Sequence, residues 1–294
     1  MSELIVNEEF LRQVETLQTV LKQNNAGMFG GNRKSKTYGS SCEFADYRDY
    51  VPGDDITKID WNAYARFDKL YQKLYLDERQ MHTRIYIDAS RSMAYGNAEK
   101  GRQCLKLAAI LAYMSLNEME KVSIYIIHGN QVTELIGNMI GKNAYYERIN
   151  LLNTVEFEGD CCITEALMPE RVGRGDGMSI LISDFLTDSN YETAIDKLAD
   201  SRRDILCIQV LARDELNPQL RGKMHLFDSE NERLFYRKKI DRDIIKAYKA
   251  ALEYATNRIR EYCAARGADY MLVAADQDLG EVFFDKLVST GVLK

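Results

Sequence analysis

Ile85-Tyr86-Ile87-Asp88-Ala89-Ser90-Arg91-Ser92-Met93 is a short β-prone run that stops at a carboxylate and then offers two hydroxyls spaced two apart. The stretch 98–119 behind it carries Cys104, Leu107, Ala108, Leu111 and Met114 on one helical stripe. A strand that ends in oxygen-bearing side chains and feeds a helix is the opening of a crossover unit. The rhythm recurs downstream. β-prone runs at 121–128, 178–184, 204–212 and 269–275, with a shorter antiparallel candidate at 131–136, are separated by helical patterns. Those patterns fall near 143–153, 163–169, 190–202, 241–265 and 279–289, and the long one aligns Ile244, Tyr248, Ala251, Ala255, Ile259 and Tyr262. The alternation predicts an α/β fold with a doubly wound, mostly parallel sheet flanked by helices.

Upstream of residue 81 the pattern differs. Residues 8–23 form a helical stripe of Phe10, Leu11, Val14, Leu17, Val20 and Leu21. A glycine-rich polar stretch at 27–39 reads as an irregular loop, and 70–77 alternate as a strand with one wetter face. We expect an N-terminal helix and small β-rich appendage over 1–80, a sheet domain over 81–294, and a hairpin-like insertion near 213–240. Within 47–66, Pro52-Gly53 is turn chemistry. Arg48, Asp54, Asp55, Asp60 and Arg66 can form an ion-pair network around Trp61, the only tryptophan. With Tyr50 they make either a partner-docking surface or a clasp fixing the appendage to the sheet domain.

Composition narrows the function. The net charge of −6 over 294 residues is spread along the chain, which argues against a nucleic-acid partner. The longest strongly apolar stretch, Leu107 to Leu116, runs about half the ~20 residues of a spanning helix. Positions 1–26 lack the basic start and apolar block of a signal peptide, and the six cysteines show no CxxC spacing. A cytoplasmic protein with reduced thiols is expected. No GxxxxGK cradles a phosphate, and His82, His128 and His225 bear no motif relation to any cysteine. A phosphatase of the haloacid-dehalogenase type would want an acid where Ser90 stands.

At the carboxyl end of a strand, Asp88, Ser90 and Ser92 can turn their oxygens to one point, a donor set that suits Mg2+. Met178-Ser179-Ile180-Leu181-Ile182-Ser183-Asp184 is a second apolar run ending in a carboxylate. If the two strands are neighbours, Asp88 and Asp184 repel unless a cation, a proton or a basic group lies between them. The blander reading is that these residues cap the turns that follow.

Asp88-x-Ser90-x-Ser92 with a later Ser183-Asp184 resembles the metal-ion-dependent adhesion site (MIDAS) of von Willebrand factor A domains. Tyr47-Arg48-Asp49-Tyr50-Val51-Pro52-Gly53-Asp54-Asp55, Ile59-Asp60-Trp61-Asn62 and Ala65-Arg66 are similar to the signature of the bacterial "domain of unknown function 58" family. Gly39, Glu43-Phe44, Glu215-Leu216, Pro218, Gly222, Leu226 and Asp228-Ser229-Glu230 fit it too. The resemblance implies a von Willebrand A-like fold and a link to AAA+ ATPases of the MoxR type. It also implies a metal held at Asp88, Ser90, Ser92 and Asp184, whose open position a partner's acidic side chain completes. One position departs: the family's threonine falls at Cys161, and a thiol is a poor partner for Mg2+. A weak site, a degenerate one, or one that recruits Asp160 are the outcomes left open. The expectation is a non-enzymatic protein-interaction module, without direct membrane insertion, that partners a MoxR-type ATPase. The alternatives are a metal-dependent hydrolase at the same edge and a structural adaptor with a degenerate site.

Overall fold

The computed structural model describes residues 5–24, 44–75, 81–95, 99–169, 173, 175–186, 190–201, 203–220, 222–227 and 235–282. The loop expected at 27–39, most of the helix expected at 279–289, and Asp228-Ser229-Glu230 lie outside them. The chain forms two compact units, Gly30–Gln80 and the combination of Met1–Phe29 with Met81–Lys294.

The N-terminal helix α1 (Glu8–Asn24) starts where Asn7 Oδ1 accepts the amide of Phe10 at 2.8 Å, with Glu8 and Glu9 in its first turn. Although we expected it with the β-rich appendage, it buries Phe10 and Val14 in the core of the sheet unit. Asn153 holds its approach, accepting from Val6 N at 2.9 Å and donating to Val6 O at 3.0 Å.

The smaller unit pairs β1 (Phe44–Asp49) antiparallel to β2 (Tyr71–Tyr75), with α2 (Trp61–Phe67) between them in sequence. Asp60 starts α2 by accepting from Asn62 N at 2.9 Å and Ala63 N at 3.2 Å. Asp68 ends it in the left-handed conformation at φ 53°.

The larger unit runs β3 (His82–Asp88), α3 (Glu99–Asn117), β4 (Lys121–His128), β5 (Gln131–Met139), α4 (Gly141–Arg148), α5 (Ile163–Leu167), β6 (Met178–Ser183), α6 (Tyr191–Asp200) and β7 (Asp204–Leu211). The short α7 (Arg213–Leu216) and the antiparallel pair β8 (Gly222–Phe227) and β9 (Phe235–Ile240) interrupt the rhythm. The chain then forms α8 (Arg242–Ala265), β10 (Asp269–Ala274) and α9 (Leu279–Glu281).

Six strands make one sheet in the order β10-β7-β6-β3-β4-β5, parallel throughout except that β5 runs against β4. Successive side chains of β3 divide between its two faces. Ile85 and Ile87 join one apolar core with α1, α3 and Tyr145 of α4, whereas Tyr86 joins another with α5, α6 and α8. Helices therefore cover both faces, and the strand order reverses between β3 and β6. Leu105, Leu107 and Ala108 of α3 are wholly buried, and truncating such a leucine costs about 2–5 kcal/mol. At the opposite end, Gly177 (φ +133°) lies so close to His82 that a Cβ would sit 2.3 Å from its carbonyl oxygen.

Candidate functional site

The reversal places the ends of β3 and β6 side by side, since Ile87 pairs with Ile182 and the chain then reaches Asp88 and Ser183. Ser183 Oγ donates to Asp88 Oδ2 at 2.6 Å, and Ser90 N donates to Asp88 Oδ1 at 2.9 Å. Ser90 Oγ and Ser92 Oγ lie 3.0 Å apart. Asp184 Oδ1 accepts from Leu186 N at 3.1 Å. Between them stands Phe185, a non-glycine residue at φ 51°, held by burial and by the edge of Tyr191.

A basic group faces Asp184. Lys100, in the first turn of α3, is 0% exposed and places Nζ 2.8 Å from Asp184 Oδ2 and 3.0 Å from Glu215 Oε1. Glu215 uses its other oxygen on Ala212 N at 2.7 Å, so Lys100 joins α3, the end of β6 and α7. Burial alone would push the ammonium toward neutrality, but Asp184 and Glu215 outweigh it and raise the Lys100 pKa. The Asp88 pKa is raised by burial first and by the charge of Asp184 second. Of the three groups that could relieve the paired carboxylates, a basic one stands at Asp184, while Asp88 stays raised by burial and by Asp184.

The remaining expected oxygen donors divide. Cys161 reaches the site: Cys162 N donates to Gly129 O at 2.8 Å and Gly129 N to Asp160 O at 3.0 Å, which fixes the loop beside the end of β4. Arg91 N donates to Gly159 O at 2.9 Å and Glu158 N to Ala89 O at 3.0 Å, lacing this loop to the Asp88–Ser92 turn. The Cys161 thiol is buried, and its pKa is raised by burial first and by Asp88 second. Asp160 is an exposed side chain.

Fit to Mg2+ is good at the hydroxyls and poor elsewhere. The 3.0 Å between Ser90 and Ser92 matches the edge of an octahedron of oxygens about 2.1 Å from a metal. The carboxylates are engaged: Asp88 holds two hydrogen bonds, and Asp184 Oδ2 is paired with an ammonium. A protonated thiol stands at the threonine position, and Mg2+ demands hard oxygens. The residues present do not fit the ion expected from the sequence.

Lys100, Ser183 and Glu215 were missed as site residues in the sequence. Lys100 precedes the apolar stripe of α3 and reads as a solvated first-turn charge; only the strand order brings Asp184 and Glu215 to it.

The 47–66 residues sit in the smaller unit. Arg48 pairs with Asp54 at 2.7 Å and donates to Gln72 Oε1 at 2.9 Å. Asp60 is buried and accepts from the Tyr47 hydroxyl at 2.7 Å, with Lys73 Nζ at 3.2 Å. Asp55 accepts from Thr57 N at 3.0 Å, starting the turn Ile56–Lys58. Tyr50 is partly buried and Arg66 exposed. The network expected around Trp61 centres on Asp60 and Asp54 instead. Trp61 itself is 62% exposed and meets Tyr64 edge-on.

The chain is 27% identical over 227 residues to "Uncharacterized protein Rv1480" of Mycobacterium tuberculosis, covering 74% of this chain and 70% of that one. It is similar to the solved structure of BatB from Bacteroides thetaiotaomicron at 12% identity and a TM-score of 0.42, covering 73% of this chain and 100% of that one. Similarity to the SpRpn10 VWA domain is 8% in identity with a TM-score of 0.38, covering 71% and 95%. The profile described as "Protein of unknown function DUF58" matches residues 46–258, more than half of the chain, and the chain belongs to that family.

Proposed function

We propose that this chain is a non-catalytic protein-interaction module of the cytoplasm, an accessory partner of a MoxR-type AAA+ ATPase, that meets its partners at the β3–β6 edge. The observation that carries this reading is that the edge's reactive-looking groups are buried and engaged with one another. Asp88 is held by Ser183 and Ser90, and Asp184 by Lys100. The Cys161 thiol is raised in pKa. General-base and nucleophilic catalysis need a group free to reach substrate, with a base beside the nucleophile.

A rim remains accessible around these groups: Arg91, Tyr95, Asp160 and Leu186 are exposed and Ser92 is partly so. Exposed apolar and charged side chains around a fixed edge suit contact with another protein. Among the described residues no helix is long and apolar enough to cross a membrane, and the five described cysteines are free. The link to a MoxR-type ATPase comes from the family resemblance. The Mg2+ expected at Asp88, Ser90, Ser92 and Asp184 is not required by this reading.

The test is binding to a purified MoxR-type ATPase on a biosensor, with Arg91→Glu and Leu186→Asp as rim variants. Binding weakened at least tenfold by either change, in a folded protein, is expected. No binding by the parent, or binding indifferent to both changes, would sink the proposal. Turnover of any phosphoester in the presence of Mg2+ would favour the hydrolase instead.

A further inference from the structure

We infer that the cation of this edge is Lys100 itself, so that the site works without a divalent metal and offers no open position to a partner's carboxylate. The inference deepens the reading above and rests on it only for the purpose of the edge; the cation assignment stands on geometry.

Two buried carboxylates and a partly buried one belong to one cluster. Asp184 and Glu215 both contact Lys100 Nζ, at 2.8 and 3.0 Å, and Asp88 is joined to the strand end of Asp184 through Ser183. Asp88, Asp184 and Lys100 are each 3% exposed or less. A buried carboxylate beside another needs a counter-charge, and Lys100 supplies it from within the chain.

The ammonium is also fixed in place. The neighbouring Gly101 lies against Phe157 so closely that a Cβ would sit 2.5 Å from its ring. One turn on, Gln103 Nε2 donates to Gln277 O at 2.9 Å. The start of α3 is thus held from two sides. A divalent ion at Asp184 would have to expel Lys100 from a packed position, and a thiol would still stand where a hard oxygen is wanted.

The consequence concerns the ligand. A metal adhesion site attracts an acidic side chain because the metal carries an unfilled position. Here a carboxylate approaching Asp88, Asp184 and Glu215 meets a cluster with a single counter-charge that is already paired twice. The edge suits a neutral hydrogen-bond donor, and chelators should leave partner contact intact.

The test uses Mn2+ alone with the full chain after chelator treatment, read by electron paramagnetic resonance and thermal unfolding. The parent is expected to take up no Mn2+ at millimolar concentration and to show no shift in unfolding midpoint. Lys100→Arg, which keeps the charge, should behave as the parent does. Lys100→Met frees the carboxylates and should gain one Mn2+ per chain with a raised midpoint, an effect removed by adding Asp88→Asn. Stoichiometric uptake by the parent that Asp88→Asn abolishes would overturn the inference, and this arm decides even where Lys100→Met fails to fold. A folded Lys100→Met that takes up no Mn2+ would overturn the role given to Lys100. None of these readouts involves a partner, so failure of the interaction reading would show separately, as lost ATPase binding.

Discussion

Lys100 Nζ and Asp184 Oδ2 lie 2.8 Å apart with side chains 0% and 4% exposed, a buried ion pair at the point where the strand order reverses. Taking two charges out of water costs several kcal/mol per ion, and the pair repays this only when its other hydrogen-bonding capacity is met. Here both oxygens of Asp184 and two of the three ammonium donors have partners. Leu186 N satisfies the second oxygen of Asp184, and Glu215 gives the ammonium a second acceptor. The pair therefore positions a loop, a helix start and a short helix against one another, and its removal should be felt by the whole sheet unit.

Lys100→Met is expected to destabilise the protein by about 3–5 kcal/mol, the range for breaking a buried pair from one side. Adding Asp184→Leu should cost less than the sum of the single changes, because the second removes the charge orphaned by the first. Urea unfolding of the parent, both single variants and the double variant measures this. Additivity within a few tenths of a kcal/mol would show that the two groups are not coupled.

His82 gives the sheet unit a pH dependence. Its pKa is lowered from 6.5 to about 4, by burial first and then by Arg84, Lys121 and Arg203, while Nε2 lies 2.9 Å from Ser123 Oγ. The neutral ring is the folded form, so between pH 6.5 and 4 the unfolded chain binds a proton that the folded chain refuses. The contribution is complete above pH 6.5 and is lost as pH falls toward 4. His82→Gln should flatten the fall in unfolding free energy across that window. An unchanged slope in the variant would place the dependence elsewhere.

Gly177→Ala should destabilise by about 2–4 kcal/mol, combining a backbone conformation that L-residues avoid with overpacking. The new Cβ would fall 2.3 Å from the His82 carbonyl oxygen, and backbone cannot yield as a side chain does. Gly53, at φ +109°, has open space around it, so Gly53→Ala carries the conformational cost alone. Thermal unfolding of the two variants compares them directly; equal losses would mean that the close approach at His82 does not matter.

The fold was legible because its signals are local. Within the described residues, the β-prone runs and amphipathic stripes from 82 to 265 lie within a few residues of the observed elements, and the apolar Met178–Ser183 is buried throughout. Asp88 and Asp184 were legible as strand ends for the same reason. Lys100 was not, because a lysine at a helix start is ordinarily solvated, and only long-range packing takes it from water to Asp184 and Glu215. α1 misled in the opposite direction. Nearness in sequence to the β-rich segment suggested a shared unit, but its apolar stripe is satisfied in the sheet unit's core.

Asp60 and Trp61, adjacent in sequence, should respond oppositely to truncation. Asp60 is buried, starts α2 through two amides and receives the Tyr47 hydroxyl, which, ahead of its other contacts, lowers its pKa to about 2. Its carboxylate supports the smaller unit fully above the unfolded value near 3.8 and loses that effect as pH falls through about 2. Trp61 is 62% exposed, its one described ring neighbour being Tyr64 at 6.2 Å between centroids. Trp61→Ala should therefore stay within about 0.5 kcal/mol of the parent, as surface changes do. Asp60→Ala should unfold the smaller unit more readily, read by faster amide exchange at Asn62 and Ala63. The single indole also reports directly: its fluorescence should be that of a solvated ring and be quenched freely by iodide. Protection from iodide in the isolated chain, or a Trp61→Ala loss as large as that of Asp60→Ala, would make the indole part of the clasp. Protection that arises only when the ATPase is added would make it a contact surface.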